Sequence, residues 1–317
     1  MRFDAMGCRA GLLALVMGGM MATSAQAQTF SYADFADTTG LQINGAASSL
    51  DIAGRDVMRL TPPQGNVGGS MFNTQAITLT NDYSFSTRFT FTIGSNHLTP
   101  WGEIGADGIA FLIQTQSNSV GGFGGGLGYA GISPSVAVEF DPYSNGGSDP
   151  RLPGNDSLNG NDHIAIMKNG DPANHLAYAL VSPSLELDSG RDITAFVDYN
   201  GAANLMEVRW STDGLRPDIA GLSYAIDLAS LFGTNPIYVG FTASTGADWS
   251  AQDIVDWTFN AKYDPITTSP TGTIPAGSPS AGAVPEPAIW AMMVAGFGAV
   301  GGAMRRKRRQ AILCSLG

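Results

Sequence analysis

Two carboxylates separated by one residue lie in the middle of the chain, where Glu139 and Asp141 alternate with apolar residues over the stretch 136–141. Because successive side chains of a β-strand point to opposite faces, both carboxylates fall on one face and the apolar side chains on the other. Neighbouring carboxylates repel each other unless a proton or a cation lies between them. The pair therefore predicts a cation site on one face of a strand.

The loop that follows offers further ligands. Asn145, Asp149 and Asp156 lie in a segment rich in turn-forming residues, whose backbone carbonyls are also available. Ca²⁺ prefers about six to eight oxygen ligands in a flexible arrangement, which suits such a loop. His163 then opens a second apolar alternation, and an imidazole beside carboxylates is a ligand set for a transition ion such as Mn²⁺ or Zn²⁺. The stretch therefore predicts a Ca²⁺ site and, beside it, a site for a softer ion.

The same residues also have an ordinary structural interpretation. Asp, Asn and Gly are common turn formers, and a single histidine is more often a surface or core residue than a metal ligand. Composition alone therefore favours a simple loop between two strands. The order of the ligands between two apolar alternations, together with two motifs elsewhere in the chain, favours metal binding.

Three motifs in the right order resemble the legume lectin (L-type lectin) family. The metal-binding loop of that family is matched by Val138–Asp141, Tyr143, Asn145, Asp149-Pro150 and His163–Ile166. The stretch Gly105–Phe111 resembles the sugar-binding aspartate loop, and Tyr238–Gly246 with Asp256–Phe259 resembles the closing strands. The resemblance covers about residues 30–263, and an ordered set of this kind is more specific than any one motif.

The resemblance implies a metal-dependent sugar site. The metal ligands that it implies are Glu139, Asp141, the Tyr143 carbonyl, Asn145, Asp149, Asp156 and His163, holding Ca²⁺ and Mn²⁺ or another transition ion. The sugar-binding residues that it implies are Asp107, Gly125, Gly126, Tyr143 and Asn145. Asp107 accepts hydrogen bonds from sugar hydroxyls, Asn145 and a backbone N–H of the glycine loop donate them, and an aromatic ring packs on the sugar. The matching Ala106–Asp107 bond is cis in the family.

One departure from the family pattern concerns the spacing of the histidine. The family places its histidine shortly after the last aspartate, whereas fourteen positions separate Asp149 from His163 here. Asp156 lies seven positions before the histidine and is an alternative bridging ligand. Both aspartates therefore stay candidates at this point.

Many short strands joined by tight loops are expected, since the 317 residues include 41 glycines and turn residues recur throughout. The predicted strands are Asp51–Thr61, Ala76–Thr80, Tyr83–Ile93, Ile109–Thr115, Ala177–Val181, Asp192–Tyr199, Leu205–Ser211 and Tyr238–Ser244, with one helical turn at Ile226–Leu231. This pattern predicts a sandwich or a barrel. The resemblance narrows it to an all-β fold, an antiparallel two-sheet jelly-roll sandwich of the concanavalin-like type.

A glycine-rich segment, Gly121–Gly131, contains seven glycines. A phosphate-binding loop is excluded because no lysine-serine or lysine-threonine pair follows and no helix is predicted after it. In the legume lectin family a glycine loop at this place lets backbone N–H groups approach the sugar, since glycine leaves the amide uncovered. A hairpin tip without a ligand is the alternative.

The N-terminal residues 1–27 have the features of a secretory signal peptide. The basic residues Arg2 and Arg9 precede an apolar run, and Ala25-Gln26-Ala27 resembles a cleavage site. The two cysteines, Cys8 and Cys314, lie in the terminal segments, so no disulfide is expected in the domain 28–263. Export and a disulfide-free domain are therefore predicted.

The C-terminal residues resemble the PEP-CTERM sorting tail of Gram-negative bacteria. A Pro-, Ser-, Thr- and Gly-rich linker is predicted at 264–283, and the tail 284–317 contains Pro285-Glu286-Pro287, an apolar run to Met304 and the basic cluster Arg305–Arg309. The apolar run predicts a hydrophobic helix, and an ordinary membrane anchor would look similar. The resemblance adds processing by an exosortase-type enzyme after transient membrane insertion.

Charge limits the partners. Between residues 28 and 284 there are nine Lys or Arg and twenty-five Asp or Glu, hence a net charge of about −16. Such a domain does not attract nucleic acid through its field, and a neutral polysaccharide is a better partner than an acidic one. We therefore predict a secreted carbohydrate-binding protein, not an enzyme, sorted to the cell surface or the extracellular polysaccharide matrix.

Two other functions compete with this prediction. Laminarinase-like glycosidases use a similar sandwich with two catalytic glutamates, because retaining hydrolysis needs two carboxyl groups about 5 Å apart. Glu139 and Asp141 match the first positions of that pattern, but position 143 is tyrosine and the second glutamate is missing. The other competitor is a structural matrix protein that keeps the fold without binding sugar.

Overall fold

The computed structural model of the protein describes residues 28–77, 79, 82–95, 98–99, 102–103, 105–119, 124–151 and 161–278. Its strands are β1 (Thr29–Tyr32), β2 (Leu41–Gly45), β3 (Ser48–Asp51), β4 (Asp56–Thr61), β5 (Gly68–Asn73), β6 (Phe85–Ser95), β7 (Leu98–Thr99), β8 (Gly102–Glu103), β9 (Gly108–Gln114), β10 (Ser135–Asp141), β11 (His163–Lys168), β12 (Ala177–Leu180), β13 (Ile193–Asn200), β14 (Leu205–Ser211), β15 (Leu222–Ala225), β16 (Tyr238–Ser244) and β17 (Ser250–Asn260). One short helix, α1 (Leu228–Phe232), and two 3-10 turns, Gly124–Gly126 and Gly146–Ser148, complete the described elements.

Two antiparallel sheets form a sandwich. In the described ranges the first sheet has the strand order β15-β14-β13-β6-β17-β4-β3, with β1 paired to β17. The second sheet has the order β12-β11-β10-β9-β16-β5-β2, so β10 and β11 are neighbours near one edge. Strands β7 and β8 pair only with each other. The predicted all-β class with two antiparallel sheets is confirmed.

Aromatic side chains fill the space between the sheets. Phe89 of the first sheet lies 4.8 Å, ring centroid to ring centroid, from Phe241 of the second and 5.7 Å from Phe140. Val138 and Phe140, the apolar side chains predicted to share one face of β10, are both buried in this core. Large buried rings of this kind contribute much of the apolar area removed from water.

A second, smaller apolar cluster covers the opposite face of the second sheet. The segment 124–132 folds over this face, and its side chains Leu127 and Tyr129 pack in the same cluster as Ala137 and Ala165. This is the face of β10 that carries Glu139, because Glu139 and Ala137 alternate with the core-facing residues. The glycine-rich loop therefore acts as a cover over the strand that holds the carboxylates.

The stretch Asp51–Thr61, predicted as one strand, contains the last residue of β3, the turn that follows it, and β4. Ala53 and Gly54 both adopt positive φ, at 56° and 84°, and the chain reverses there so that Asp51 pairs with Asp56. Alternation of apolar and polar residues continues on both sides of the turn. A turn this short leaves that pattern almost undisturbed, which is why the prediction joined the two strands.

Two further differences lie at short elements. Ile77, inside the predicted strand 76–80, makes only an isolated bridge to Ile237 within the described residues. The helical turn begins at Leu228, after the predicted start at Ile226, because the Asp227 side chain accepts a hydrogen bond from the backbone N–H of Ser230 and caps the helix.

Part of the predicted linker packs on the domain. Ile274 exchanges backbone hydrogen bonds with Ser31 at 2.9 and 2.6 Å, and the N–H of Ala276 donates to Tyr32 Oη at 2.9 Å. The composition of 264–278 predicts a free linker, whereas backbone hydrogen bonds attach it to β1. The predicted signal peptide 1–27 and tail 284–317 lie outside the described residues. In the part of the chain that is described, no helix has the length and apolar character needed to cross a membrane.

Candidate functional site

Strand pairing brings the predicted ligands of β10 and β11 together. Asp141 lies directly opposite His163, and Glu139 lies opposite Ala165. Residues opposite each other in an antiparallel pair share a face of the sheet, so the two carboxylates and the imidazole project together beneath the loop 124–132. All three side chains are at most 3% exposed. The pairing of β10 with β11 therefore brings His163 next to Asp141, although the two residues are far apart in the sequence.

Glu139 is the centre of a nitrogen-containing group. Its Oε2 accepts a hydrogen bond from the Tyr129 hydroxyl at 2.6 Å. Its Oε1 lies 3.4 Å from Nε2 of His163 and 3.1 Å from Nε2 of His175. Oε1 of Glu139 and the two Nε2 atoms are all buried, and none of them has a hydrogen-bond partner among the described residues. A carboxylate oxygen and two imidazole nitrogens that converge without hydrogen-bond partners fit the ligands of a bound cation.

The charge of Glu139 depends on these neighbours. Burial raises its pKa, but the two imidazoles and the Tyr129 hydroxyl outweigh burial, and the net pKa lies below the ordinary value. Burial, and then the charge of Glu139, raises the pKa of Tyr129 well above its usual range. Glu139 is therefore an ionised carboxylate, with one oxygen held by a neutral phenol and the other directed at two imidazoles.

A second group is built from oxygen. The carboxylate of Asp141 accepts a hydrogen bond from the backbone N–H of Tyr143 at 2.7 Å, and the carboxylate of Asp149 accepts one from the backbone N–H of Asn145. Burial, and then the charges of Glu139 and Asp149, raises the pKa of Asp141 well above its ordinary value. Asp149 thus lies close enough to the strand carboxylates to repel them. Asp156, the alternative ligand, lies outside the described residues.

The Asp107 loop is held against the closing strands. The N–H of Asp107 donates to the Ser244 carbonyl at 2.9 Å, and the N–H of Ala106 donates to Ser250 Oγ at 3.0 Å. The side-chain amide of Gln252 donates to the Ala106 carbonyl at 3.3 Å. The peptide bond between Ala106 and Asp107 is cis, as the family resemblance implies. Backbone and side-chain hydrogen bonds from β16 and β17 therefore fix where the backbone of Asp107 lies.

The carboxylate of Asp107 is buried but incompletely bonded. The residue is 3% exposed, and its Oδ2 has no hydrogen-bond partner within the described ranges. Burial, followed by the charges of Asp248 and Asp149, raises the pKa of Asp107 to about 7. A buried acceptor of this kind is matched to a ligand that brings donors.

Glycines let two loops approach the polar side chains. A Cβ at position 125 would lie 2.6 Å from Oδ1 of Asn145, and a Cβ at position 246 would lie 3.4 Å from Oδ2 of Asp107. Gly126 faces Ala130 of its own loop instead, where a Cβ would lie 2.5 Å from that side chain. Of the two predicted glycines, Gly125 is therefore the one beside Asn145.

Tyr143 lies at the same end of the sheet. Its hydroxyl donates to Oδ2 of Asp248 at 3.0 Å, and its side chain is half-buried. Burial, and then Asp248, raises the pKa of Tyr143 to about 12, so the phenol is neutral. The tyrosine occupies the position at which the glycosidase pattern would need its second glutamate.

Sequence reasoning missed three residues that belong to this site. Tyr129 binds Glu139, Asp248 binds Tyr143, and His175 lies beside Glu139, two residues before the start of β12. His175 is one of three histidines in the chain, so its type was a usable signal. Its position along the chain gave no signal, because the pairing of β12 with β11 is what brings His175 to the site.

A separate carboxylate group lies next to the metal loop. Asp162, Glu186 and Asp188 each place an oxygen within 4.8 Å of the others. Asp162 accepts a hydrogen bond from the N–H of Leu187 at 2.6 Å, and Asp188 accepts one from the N–H of Gly105 at 2.7 Å. These bonds connect the start of β11 to the Asp107 loop. The group therefore ties the residue before β11 to the loop that carries Asp107.

Comparison with protein-family models gives two matches. The legume lectin domain matches residues 27–274, and the PEP-CTERM protein-sorting motif matches residues 283–309. The first match covers nearly all of the described residues and includes the segment 264–274 that packs on β1. The second match falls outside the described residues.

Relatives among characterised proteins are plant lectins and lectin-domain kinases. A lectin of Pisum sativum is 28% identical over 198 residues, which are 60% of this chain and 66% of that protein. The L-type lectin-domain containing receptor kinase VIII.1 of Arabidopsis thaliana is 31% identical over 196 residues, 61% of this chain. The match spans only 26% of that kinase, so it concerns the lectin domain alone.

Solved structures show the same fold. The lectin from Bauhinia forficata in complex with GalNAc superposes with a TM-score of 0.60 and 26% identity, covering 74% of this chain and 98% of the lectin. The basic winged bean lectin with Tn-antigen superposes with a TM-score of 0.60 at 24% identity, which is evidence for the fold alone. The predicted jelly-roll sandwich is confirmed.

Proposed function

The chain belongs to the legume lectin family, and we propose that it is an exported lectin whose sugar site is organised by two metal ions. The family binds carbohydrate and is not one of enzymes, which confirms the prediction that this chain is not an enzyme. The observation that carries the proposal is the carboxylate of Asp107. It is buried, its backbone is held by β16 and β17, and its Oδ2 has no hydrogen-bond partner among the described residues and lies near Gly246.

We propose the sugar-binding residues that the family resemblance implies, and the burial of Asp107 supports this assignment. Asp107 accepts hydrogen bonds from two sugar hydroxyls, because ionised carboxylates are acceptors only. Asn145 donates a third through its side-chain amide, and the backbone N–H of Gly125 donates a fourth, with Gly126 shaping the loop. Tyr143 supplies an aromatic surface at the edge of the site. A neutral glycan fits this set, since an acidic one would meet several carboxylates.

The metal ligands divide into a hard and a softer group. Asp141, Asn145, Asp149 and the Tyr143 carbonyl offer oxygen and suit Ca²⁺, while Glu139 and His163 suit a transition ion. Asp149 is preferred to Asp156 as the shared ligand because it lies near Asp141 and raises its pKa. When bound, the ions neutralise the carboxylates and fix the loop that carries Asn145.

The test is a glycan array probed with the full chain in the presence of Ca²⁺ and Mn²⁺, and again after chelation. Binding to one class of neutral glycan should appear with metal and disappear without it. An Asp107→Ala variant should lose binding while its circular dichroism stays unchanged, and Asp218→Asn, which removes an exposed carboxylate elsewhere, should bind normally. Glycan binding by Asp107→Ala at the wild-type level would refute the site.

Export and sorting are proposed from the two termini. The predicted signal peptide 1–27 directs export, the domain extends to about residue 278, and the tail is recognised by an exosortase-type enzyme that places the lectin at the cell surface or in the extracellular polysaccharide. Replacing Pro285-Glu286-Pro287 by three alanines should retain the protein in the membrane fraction. Equal release of this variant and the wild type from cells that contain the enzyme would contradict the sorting proposal.

A further inference from the structure

His175 gives the softer metal group a third ligand that the metal-loop motif does not contain. Its Nε2 lies 3.1 Å from Oε1 of Glu139, closer than Nε2 of His163 at 3.4 Å. All three ligand atoms lie within 4.8 Å of one another. We propose that His175 binds the transition ion directly with Glu139 and His163, and that this set selects Zn²⁺ over Mn²⁺. The inference rests on the metal dependence proposed above.

The spacing of the atoms fits a shared ion. Two ligands that each lie about 2.1 Å from one ion are about 3.0 Å apart at a right angle and about 3.4 Å apart at a tetrahedral angle. The two distances to Glu139 Oε1 are 3.1 and 3.4 Å and fall within that interval. Each imidazole nitrogen therefore lies at a distance from Oε1 that is expected for two ligands of one ion.

The hydrogen bonds around the group prepare the atoms for a cation. Nδ1 of His163 lies 3.4 Å from the carbonyl oxygen of Asn161, which favours a proton on Nδ1 and a lone pair on Nε2. The Tyr129 hydroxyl occupies Oε2 of Glu139 and leaves Oε1 turned to the imidazoles. Oε1 and the two Nε2 atoms are buried without hydrogen-bond partners among the described residues, and a cation bound between them would satisfy all three.

Small neighbours make room for the second imidazole. Glu139 has Ala110 opposite it on β9 and Ala165 opposite it on β11, so only methyl groups flank its side chain within the sheet. Tyr178 on β12 lies opposite Ala165, and its ring centroid is 6.2 Å from that of His175. The His175 ring thus reaches over the position of Ala165 and lies beside Glu139.

Ligand chemistry sets the selectivity. Mn²⁺ favours sites made of carboxylate, carbonyl and water, whereas imidazole suits Zn²⁺ and other borderline ions, which also bind more strongly in the general order of affinities. A second imidazole therefore shifts this centre away from Mn²⁺. The ligand atoms proposed at Asp141 and Asn145 are oxygens, so that group keeps its preference for Ca²⁺.

The first test measures metal affinity with no sugar present. The metal-free full chain is titrated with Zn²⁺ and with Mn²⁺ in the presence of Ca²⁺, for the wild type, His175→Ala and the exposed neighbour Asn174→Ala. Zn²⁺ should bind at least about 100-fold more tightly than Mn²⁺ to the wild type and to Asn174→Ala, and His175→Ala should lose at least about 100-fold of its Zn²⁺ affinity, since even outer-shell changes cost about 10- to 100-fold. Unchanged Zn²⁺ affinity in a folded His175→Ala protein would overturn the inference.

The second test needs no variant. X-ray absorption at the zinc edge counts imidazole ligands in the zinc-loaded wild type, and the inference predicts two, whereas one would overturn it.

The outcomes separate the two proposals. Sugar binding with a single imidazole on the ion would sustain the proposed function and remove this inference. Two imidazoles on the ion of a protein that binds no glycan would sustain this inference and refute the proposed function. A wild type that takes up no transition ion overturns the inference as well.

Discussion

The raised pKa of Asp107 predicts an unusual pH dependence for the metal-free protein. Burial and nearby carboxylates raise this pKa from 3.8 to about 7. The folded state therefore binds a proton on Asp107 more tightly than the unfolded state does. At a pH where Asp107 is ionised in the unfolded chain, this difference lowers the free energy of unfolding. The penalty is absent below about pH 4, grows as pH rises towards about 7 and is complete above that, where it amounts to roughly 4 kcal/mol.

The comparison of Asp107→Asn with the wild type isolates this effect. In chelator, the variant should equal the wild type in free energy of unfolding near pH 4 and exceed it by a few kcal/mol at pH 8. For a domain of this size, that difference corresponds to a melting temperature higher by roughly 8–16 °C. Asp218→Asn serves as control, because it removes one negative charge at an exposed position and should show no such pH-dependent gain.

Urea unfolding at several pH values in chelator measures the difference, and the same series with Ca²⁺ restored should reduce it, because the cation offsets the negative charge near Asp107. Two results would refute the reasoning. One is a wild-type metal-free protein whose stability relative to Asp107→Asn rises between pH 4 and pH 8. The other is an equal gain for both variants, which would assign the effect to net charge rather than to burial of Asp107.

Three other substitutions test separate parts of the structure. Gly125→Ala places a methyl group against the Asn145 side chain and should weaken glycan binding in a titration while melting stays the same; undiminished affinity would speak against the loop assignment. Asp198→Ala removes a buried carboxylate that pairs with Arg216 and with Arg209, although Arg209 keeps its pair with Glu207, and should cost about 3–5 kcal/mol in urea unfolding, a loss below 1 kcal/mol being contrary to expectation. Phe241→Ala empties the core between the sheets and should cost about 3–5 kcal/mol, with metal affinity retained if the site and the core are independent.

Alternation of apolar and polar residues predicted the central strands well. The bounds predicted for Leu205–Ser211 and Tyr238–Ser244 are those of β14 and β16. The pattern did not predict the turn at Ala53 and Gly54, because the alternation continues through it. It also did not predict that the segment at Ile274 packs on the domain, because backbone hydrogen bonds attach that residue to β1. Period-two patterns report which face a side chain occupies, and they carry little information on where a strand reverses.

The candidate site was predictable in part. Glu139 and Asp141 share a face by alternation alone, and the pairing of Asp141 with His163 completes what the loop motif predicts. The place of Asp107 came from the family resemblance, since nothing in its local sequence requires it to lie near β10. His175 escaped prediction because its approach to Glu139 depends on strand pairing and on the small size of Ala165, which are properties of the folded sheet.

Calorimetric titration of a neutral glycan selected from the array, into metal-free protein to which Ca²⁺ is returned in steps, tests the central claim most directly. In the proposed function Ca²⁺ fixes the loop that carries Asn145, so the number of glycan sites should rise in proportion to bound Ca²⁺. An Asp141→Asn variant should gain none over the same range. Glycan binding of full strength and stoichiometry in the chelated wild type would contradict the claim that metal organises the sugar site.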